Sequence, residues 1–581
     1  MTIVTTTHGA VRGTGAFRNI PYAAPPLGAA RFAAPRPHPP WEGVRDGTTF
    51  GPNAPQSERR LGDVDMSGYF GDGWHRGEDY LTVNVWTPDA KGSGAPVMVF
   101  VHGGGFVAGS NRAAYYDGST FARDGVVLVT VNYRLGIAGF LDLPDAPANR
   151  GLLDVVAGLR WVRENIAAFG GDPDNVTLFG QSAGATIVGG VLATPDAAGL
   201  FRRAIIQSGS GLGAFSREQG ARVARAAAEI LGVGATAEAL GQLTDEQLVE
   251  AAAQLAGLDL RTADHRDPLI GLSPFSLVSD VQPADAVATG MSADVDLLIG
   301  TNTEEGNLYL IPVGRYDGST SADVHAVAAL AHPEPERLVT AYRRNRPDAT
   351  DAELRSAILG DALFGAGSWA LSEAHSQNSR SRTFGYEFGR RDPRLGATHT
   401  IELPYVFGDS DVHDTWIRFA RTGDPGWEPF EADRRATMHI GATWEQVDDP
   451  RGPERLAWRR RTPVGAPVSA SPLSRGIRKG NILQVSGQLP YDPATGELSG
   501  STVSAQTAQA LRNVIAVLEA GGAHLADVVM LRVYLAHPGH LNEMNEAYAA
   551  LVGRPYPART TVYMQLPPGV MVEVDALAVL S

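Results

Sequence analysis

The chain has 581 residues, more than one hydrophobic core usually organises, so two or more domains are expected. With 43% hydrophobic and 19% charged residues it has an ordinary globular composition, and a net charge of -15 with a pI near 5.4 argues against a nucleic-acid partner or an anionic membrane surface. There is no cysteine, which excludes disulfides, thiolate metal sites and a Cys nucleophile together and fits a reducing, cytoplasmic setting.

The opening stretch MTIVTTTHGAVRG has neither a basic nor an apolar leader region, so no signal peptide is expected, and no apolar run approaches the ~20 residues of a membrane span. Up to about residue 90 the chain carries short β-like runs and much proline. FRNIPYAAPPLGAARFAAP (17–35) is expected to be extended or turned, because proline removes donors and restricts its predecessor. YLTVNVW (80–86) reads as a strand. PVMVFVH (96–102) and GVVLVTVNYR (125–134) are near-continuous apolar runs, as in central strands buried on both faces. GLLDVVAGLRWVRENIAAFG (151–170) has apolar residues at helical spacing and a terminal glycine. NVTLF (175–179) predicts a strand, a small-residue helix follows, and RRAIIQSG (202–209) is a strand again. The sequon Asn175-Val176-Thr177 falls in that expected buried strand and reads as a chance match. Residues 215–265 predict helices that cap the sheet. VDLLIGTN (295–302) returns to strand, 321–380 to helix and TFGYEFG (383–389) to strand, while 410–460 is polar and weakly periodic. Strands alternating with helices predict an α/β fold with a largely parallel sheet.

Near 461 the composition shifts. RTPVGAPVSASPLSRG is rich in Pro, Ser, Gly and Ala and predicts a linker over 461–472, between a first domain (1–460) and a second (473–581). The second has its own pattern: strands at NILQVSGQLP, DVVMLRVYLA, ARTTVYMQL and VMVEVDALAVL, and helices at SAQTAQALRNVIAVLEAGG and LNEMNEAYAALVG. About four strands and two helices make an independent α+β domain.

The chemistry-bearing stretch is NVTLFGQSAGATIVGG. Here G-x-S-x-G stands between a predicted strand and a predicted helix, the setting of a nucleophile elbow in an α/β-hydrolase, with Ser182 at the tip. A serine hydroxyl needs a base, an orienting acid and an oxyanion hole. His102-Gly103-Gly104-Gly105-Phe106 follows the PVMVFV strand directly, and such glycines let backbone N–H groups converge on one oxygen together with the amide of Ala183. In this fold the acid and then the base follow the serine along the chain. Glu304 and Glu305, in GTNTEEGNLYL, are adjacent acid candidates that cannot both meet one imidazole. Beyond them lie His325, His332, His375, His399, His413 and His439, of which His399 alone sits in a Gly-rich turn.

These segments, in this order, resemble the type-B carboxylesterases, the group of the para-nitrobenzyl esterases and cholinesterases. FRNIPYAAPPLGAARFAAP, EDYLTVNVW, VFVHGGGFVAGS, VNYRLGIAGFL, LRWVRENIAAFGGDPDNVTLFGQSAGA, FRRAIIQSG, LIGTNTEEG and HTIELPYVFG carry the likeness across the first ~460 residues. It implies Ser182 as nucleophile, Glu305 as acid, His399 as base, Gly104, Gly105 and Ala183 as oxyanion donors, and Ser208 as a buried support of the acid. Tyr80 stands where many members have a cysteine, and the segment after His399 is short.

The last ~110 residues resemble a different family, the RidA-like enamine/imine deaminases of chorismate-mutase-like fold. SPLSRGIRKGNILQVSGQLPYDPATGEL, DVVMLRVYLA, NEMNEAY, PARTTV and VEVDALAVL carry this likeness. It implies that Arg559 binds a substrate carboxylate, that Glu573 positions water, that Gly487 lines the pocket, and that the chain is a homo-oligomer, a trimer with sites between subunits. Leu473 replaces a frequent Tyr and Thr561 a common Cys. Catalysis and pure trimerisation both remain open for this domain.

The expected protein is therefore a serine carboxylesterase acting on small-molecule esters, fused to a RidA-like domain that trimerises or deaminates imines. Imine deamination as the principal activity, and hydrolysis of carbamates or lactones on the esterase fold, are the alternatives. No metal or cofactor is expected, since HEXXH, P-loop and dinucleotide fingerprints are absent.

Overall fold

The computed structural model describes residues 1–58, 60–378, 380–459, 462–464 and 473–580. They divide into two compact units, Met1–Ala457 and Trp458–Ser581.

The first unit is built on a ten-stranded sheet. From one edge to the other the order is Trp444–Asp448, Ala436–Ile440, Thr383–Phe388, Asp296–Asn302, Arg203–Gln207, Gly171–Gln181, Ala95–Val101, Val127–Val131, Thr82–Trp86 and Ala16–Pro21. The strands from Ala436–Ile440 to Val127–Val131 run parallel, and antiparallel pairings close both edges. Parallel neighbours need crossover connections, and helices Arg150–Asn165 and Ala183–Leu192 supply them on either side of Gly171–Gln181.

The apolar runs are long because both faces are covered. Val97, Val99 and Val101 enter one core with Leu159 and Val162 of the first crossover helix and Ile187 and Val191 of the second. Met98 and Phe100 enter the other, with Phe179, Ile205, Leu298 and Phe384 from neighbouring strands. The two-residue period of a strand thus feeds two cores from one segment. The predicted cap is helical, with Arg217–Leu231 and Asp245–Gln254 each starting in a capping box, at Ser216/Gln219 and Thr244/Gln247. Val223, Ala227, Leu248 and Ala251 bury these helices in the first core.

The stretch 410–460 is expected to be weakly periodic, but its described residues form a helix and paired strands. Ser410 caps helix Asp411–Thr422 through the His413 amide, and Gly423 ends it in a left-handed turn. Val412, Trp416, Ile417, Phe419 and Ala420 are buried against the second face of the sheet. Their spacing is helical, but the charged residues between them mask it in a plain composition reading.

The second unit has a six-stranded sheet in the order Thr462–Val464, Gly476–Lys479, Ile482–Gln488, Val572–Val579, Val528–Leu535, Ala558–Tyr563. That is two strands more than expected. Thr462–Val464 lies within the stretch predicted as linker, whose residues 461 and 465–472 are outside the described ones. Among the described strands of this unit only Val528–Leu535 and Ala558–Tyr563 pair in parallel, and helix Leu541–Leu551 is the crossover between them. It packs with helix Val503–Ala520 on one face of the sheet, where Leu531, Val533, Val572, Val574 and Ala576 meet Leu511, Val514, Leu518 and Met544. The alternate residues Arg532, Tyr534, Glu573 and Asp575 belong to the opposite face. Among the described residues no helix is long and apolar enough to cross a membrane.

Trp416 is fully buried. Trp416→Ala is expected to cost about 3–5 kcal/mol, read as a lower urea midpoint for the first unit.

Candidate active site

Strand Gly171–Gln181 ends on Ser182, and helix Ala183–Leu192 begins at the next residue. A reversal this tight forces Ser182 to φ 57° and ψ -124°, a conformation that L residues rarely hold. The flanking glycines make it possible. A Cβ on Gly184 would lie 2.1 Å from the Val101 carbonyl oxygen, and one on Gly180 2.7 Å from the Gly184 carbonyl carbon. Helix and strand therefore touch backbone to backbone.

Two distant loops meet this tip. His399 Nε2 is 2.8 Å from Ser182 Oγ, and its Nδ1 is 2.6 Å from Glu305 Oε2. A carboxylate only accepts, so Nδ1 carries the proton and Nε2 is left to accept from the serine. Ser208 Oγ at 2.5 Å and the Asn302 amide at 2.8 Å both donate to Glu305 Oε1, which leaves Oε2 to the imidazole. All three side chains are buried or nearly so, with Ser182 9% exposed, Glu305 4% and His399 2%. The Phe364 ring lies flat on the imidazole, with centroids 4.2 Å apart at 7°.

Glu304, the alternative acid, has another partner set. Its carboxylate accepts from the Ala397 amide at 2.8 Å and pairs with Arg391, and its own amide donates to the Ala397 carbonyl. It thus fastens the loop that carries His399. Among the other candidate bases, His375 Nδ1 meets Thr383 Oγ1, His413 Nδ1 meets the Val406 carbonyl, and His325 meets Ser321 and Glu336. His332 Nδ1 accepts from the Glu334 amide, and His439 lies in strand Ala436–Ile440 beside Gly389.

The glycine loop sits against the same tip. A Cβ on Gly103 would be 3.0 Å from Ser182 Cβ, and one on Gly104 1.9 Å from the Ala108 carbonyl oxygen. Gly104 at φ 119° and Gly105 at φ 63° take conformations open to glycine, and the Gly105 carbonyl accepts from Ser273 Oγ at 2.7 Å. His102 stacks on Tyr133 and bonds through Nδ1 to the Gly103 carbonyl. Burial lowers its pKa to about 4, so it serves as a neutral brace. The loop, the amide of Ala183 and Ser182 are thus gathered at one helix N-terminus, where negative charge is favoured.

In the second unit, Gly487 and Glu573 come together. A Cβ on Gly487 would be 1.8 Å from Glu573 Oε1, and burial followed by the nearby Asp575 raises the Glu573 carboxyl above its usual range. Arg559 is elsewhere. It pairs in register with Leu531, on the helix-covered side, and its guanidinium lies 4.9 Å from the centroid of the Tyr548 ring. Glu573 pairs with Tyr534, on the opposite side of the sheet. Among the described residues no group of three or more His, Cys, Asp or Glu could hold a metal ion.

A model described as "Carboxylesterase family" matches residues 2–457, and one described as "Endoribonuclease L-PSP" matches 464–580. The para-nitrobenzyl esterase of Bacillus subtilis is 35% identical over 494 residues, covering 78% of this chain and 97% of its own. The phenmedipham hydrolase of Pseudarthrobacter oxydans is 33% identical over 469 residues, covering 75% and 93%. A crystal structure of the Geobacillus stearothermophilus carboxylesterase EST55 superimposes with a TM-score of 0.69 at 34% identity, over 79% of this chain and 100% of that one. The fold is the α/β-hydrolase fold, followed by a RidA-like domain.

Sequence reasoning missed Glu402, three residues beyond His399. It is 1% exposed, and its carboxyl accepts from Asn302 Nδ2 at 2.7 Å and Gln207 Nε2 at 3.3 Å. Burial, reinforced by the negative Glu305 close by, pushes its pKa up to about 7. Asn302 therefore touches both carboxyls, Glu305 with its amide and Glu402 with its side chain. A folded-state pKa raised from 4.5 to about 7 means that the native protein binds the extra proton, so this group's contribution to stability declines as pH rises through that window. Glu402→Gln removes the titration. Its stability relative to wild type is expected to rise from about pH 5 to about pH 8, measured by urea unfolding across that range.

Proposed function

Since the chain belongs to the carboxylesterase family and is a carboxylic ester hydrolase, we propose that it acts through an acyl-enzyme on Ser182. In this reading His399 is the base, Glu305 the acid that orients it, and the amides of Gly104, Gly105 and Ala183 the oxyanion hole. The observation that carries it is the continuous hydrogen-bonded path from Ser182 Oγ through the imidazole to Glu305.

The chemistry runs in two halves. His399 Nε2 takes the Ser182 proton as Oγ attacks the ester carbonyl, and the carbonyl oxygen becomes an oxyanion facing the loop amides. Each effective donor of this kind is worth about 3–4 kcal/mol. Glu305 stabilises the imidazolium, and Ser208 and the Asn302 amide hold Glu305 in place. The alcohol leaves with the proton from Nε2. Water then enters, gives its proton to Nε2 and attacks the acyl carbonyl, and Ser182 Oγ departs as the hydroxyl. Para-nitrobenzyl esters, which the name of the Bacillus relative carries, are the first substrates to try, with carbamates and lactones beside them.

We assign to the second unit the role of assembling a homotrimer. The supporting observation is a sheet side on which, among the described residues, no helix of its own unit packs, and an exposed edge strand, Ala558–Tyr563, bearing Val562 and Tyr563. A second reading, a site for a small imino acid, is favoured by the Gly487–Glu573 contact and requires Arg559 to come from another copy of the chain.

Ser182→Ala is expected to lower kcat on short para-nitrophenyl esters by about a million-fold, with KM little changed. Turnover near the wild-type rate would exclude the assignment. Light scattering on the full chain is expected to give three copies, and on a chain ending at Ala457 one copy. In a 2-aminoacrylate clearance assay, Arg559→Ala should abolish the activity if the imine reading holds.

A further inference from the structure

The helix packed against the acid loop is not wound uniformly. Asp351–Gly360 and Ala366–Ser376 are α-helical, and the five residues between them, Asp361–Gly365, form a π-helix. Such turns are rare and gather at functional sites. In an α-helix, residues three apart share a face. At about 4.4 residues per turn the same three steps swing the chain through about 245° instead of 300°, so Asp361 and Phe364 are directed to different sides.

Each side is occupied. Toward the interior, Asp361 Oδ1 accepts from Arg451 Nη1 at 3.0 Å, and its Oδ2 accepts from both Arg451 Nη2 and the Tyr342 hydroxyl. Arg451 is fixed in turn, donating from Nε to Glu454 at 2.8 Å, and Glu454 also takes both arms of Arg346. A Cβ on Gly365 would fall 2.2 Å from Asp361 Oδ1, so the glycine makes room for the carboxylate. Toward the site, the Phe364 ring covers one face of the His399 imidazole, and the Tyr309 ring stands 5.8 Å from it at 36°. A Cβ on Gly360 would lie 2.8 Å from Glu305 Cβ, so the helix leading into the π-turn presses on the acid loop as well.

A flat ring in this place does two things. It fixes the rotation of the imidazole, keeping Nε2 on Ser182 and Nδ1 on Glu305. It also presents a π face to the imidazolium that forms when Ser182 gives up its proton. We propose that Phe364 is a positioning residue for His399 and that the buried Asp361–Arg451 pair holds the π-turn that aims it. The proposal rests on His399 being the base.

The test is steady-state ester hydrolysis against pH, with thermal unfolding followed in parallel. Phe364→Leu is expected to lower kcat by about 10- to 100-fold with KM within about 3-fold, the size of effect that a misplaced group produces. It should also move the acid limb of kcat/KM to lower pH, because the imidazolium loses its π face. Phe364→Tyr keeps the ring and is expected to restore both. Asp361→Asn should shift kcat and the acid limb in the same direction at temperatures where it is folded. Tyr342→Phe, which removes one donor to Asp361 at almost constant volume, should give a smaller shift in the same sense and serves if Asp361→Asn does not fold. A folded Phe364→Leu enzyme with the wild-type kcat and pH profile would overturn the role of the ring. A folded Asp361→Asn or Tyr342→Phe enzyme with the wild-type profile would overturn that of the pair. An active Ser182→Ala would instead remove the premise, so the two failures are told apart.

Discussion

Everything at the site depends on how closely the elbow helix approaches the sheet. Gly184 lies under the Val101 carbonyl, and Gly180 under the Gly184 carbonyl, at separations that no side chain could enter. This contact lets the chain reverse over one residue, and the reversal strains Ser182 into the position where its hydroxyl stands at the helix N-terminus. The glycine loop after the neighbouring strand can then lie against the serine, because both strands end at the same edge of the sheet. Parallel pairing is the underlying cause, since it brings the carboxyl ends of Ala95–Val101, Gly171–Gln181, Arg203–Gln207 and Asp296–Asn302 together. Gly105, Ser182, Ser208 and Glu305 come from the connections that leave those ends.

Three carboxyl groups close to His399 have three different fates, and environment alone separates them. Glu304 faces an arginine and a backbone amide and serves as a fastener. Glu305 is held by two donors on one oxygen and presents the other to the imidazole. Glu402 is buried, with amide side chains as its donors, and its pKa rises to about 7. No composition count could distinguish them, because a carboxylate is defined here by what donates to it.

That difference also explains what could be read from the chain alone. The elbow, the glycine loop and the His399 turn are legible because glycine at fixed offsets has a local conformational meaning. The central strands are legible because burial on both faces leaves an unbroken apolar run. Helix Asp411–Thr422 was hidden, since its apolar stripe is interleaved with Asp, Arg and Thr. Glu402, Asn302 and Phe364 carried no local signal, as each matters through a neighbour distant in sequence. The π-turn at Asp361–Gly365 has no local marker: Asp361 pairs with Arg451 and Phe364 stacks on His399, both distant in sequence. In the second unit, the short strands Thr462–Val464 and Gly476–Lys479 escape a sequence reading because three or four residues are too few for a two-residue period to emerge.

The chain of hydrogen bonds behind the site has a consequence for how such a protein can vary. Trp416 Nε1 donates to Gln207 Oε1, Gln207 Nε2 to Glu402, and Asn302 links Glu402 to Glu305. Trp416 belongs to the apolar core of the sheet's far face. Packing and chemistry therefore share one set of atoms in this region, and substitutions along that line are epistatic by construction. Along the Trp416–Glu305 line neighbouring residues have to change together or not at all.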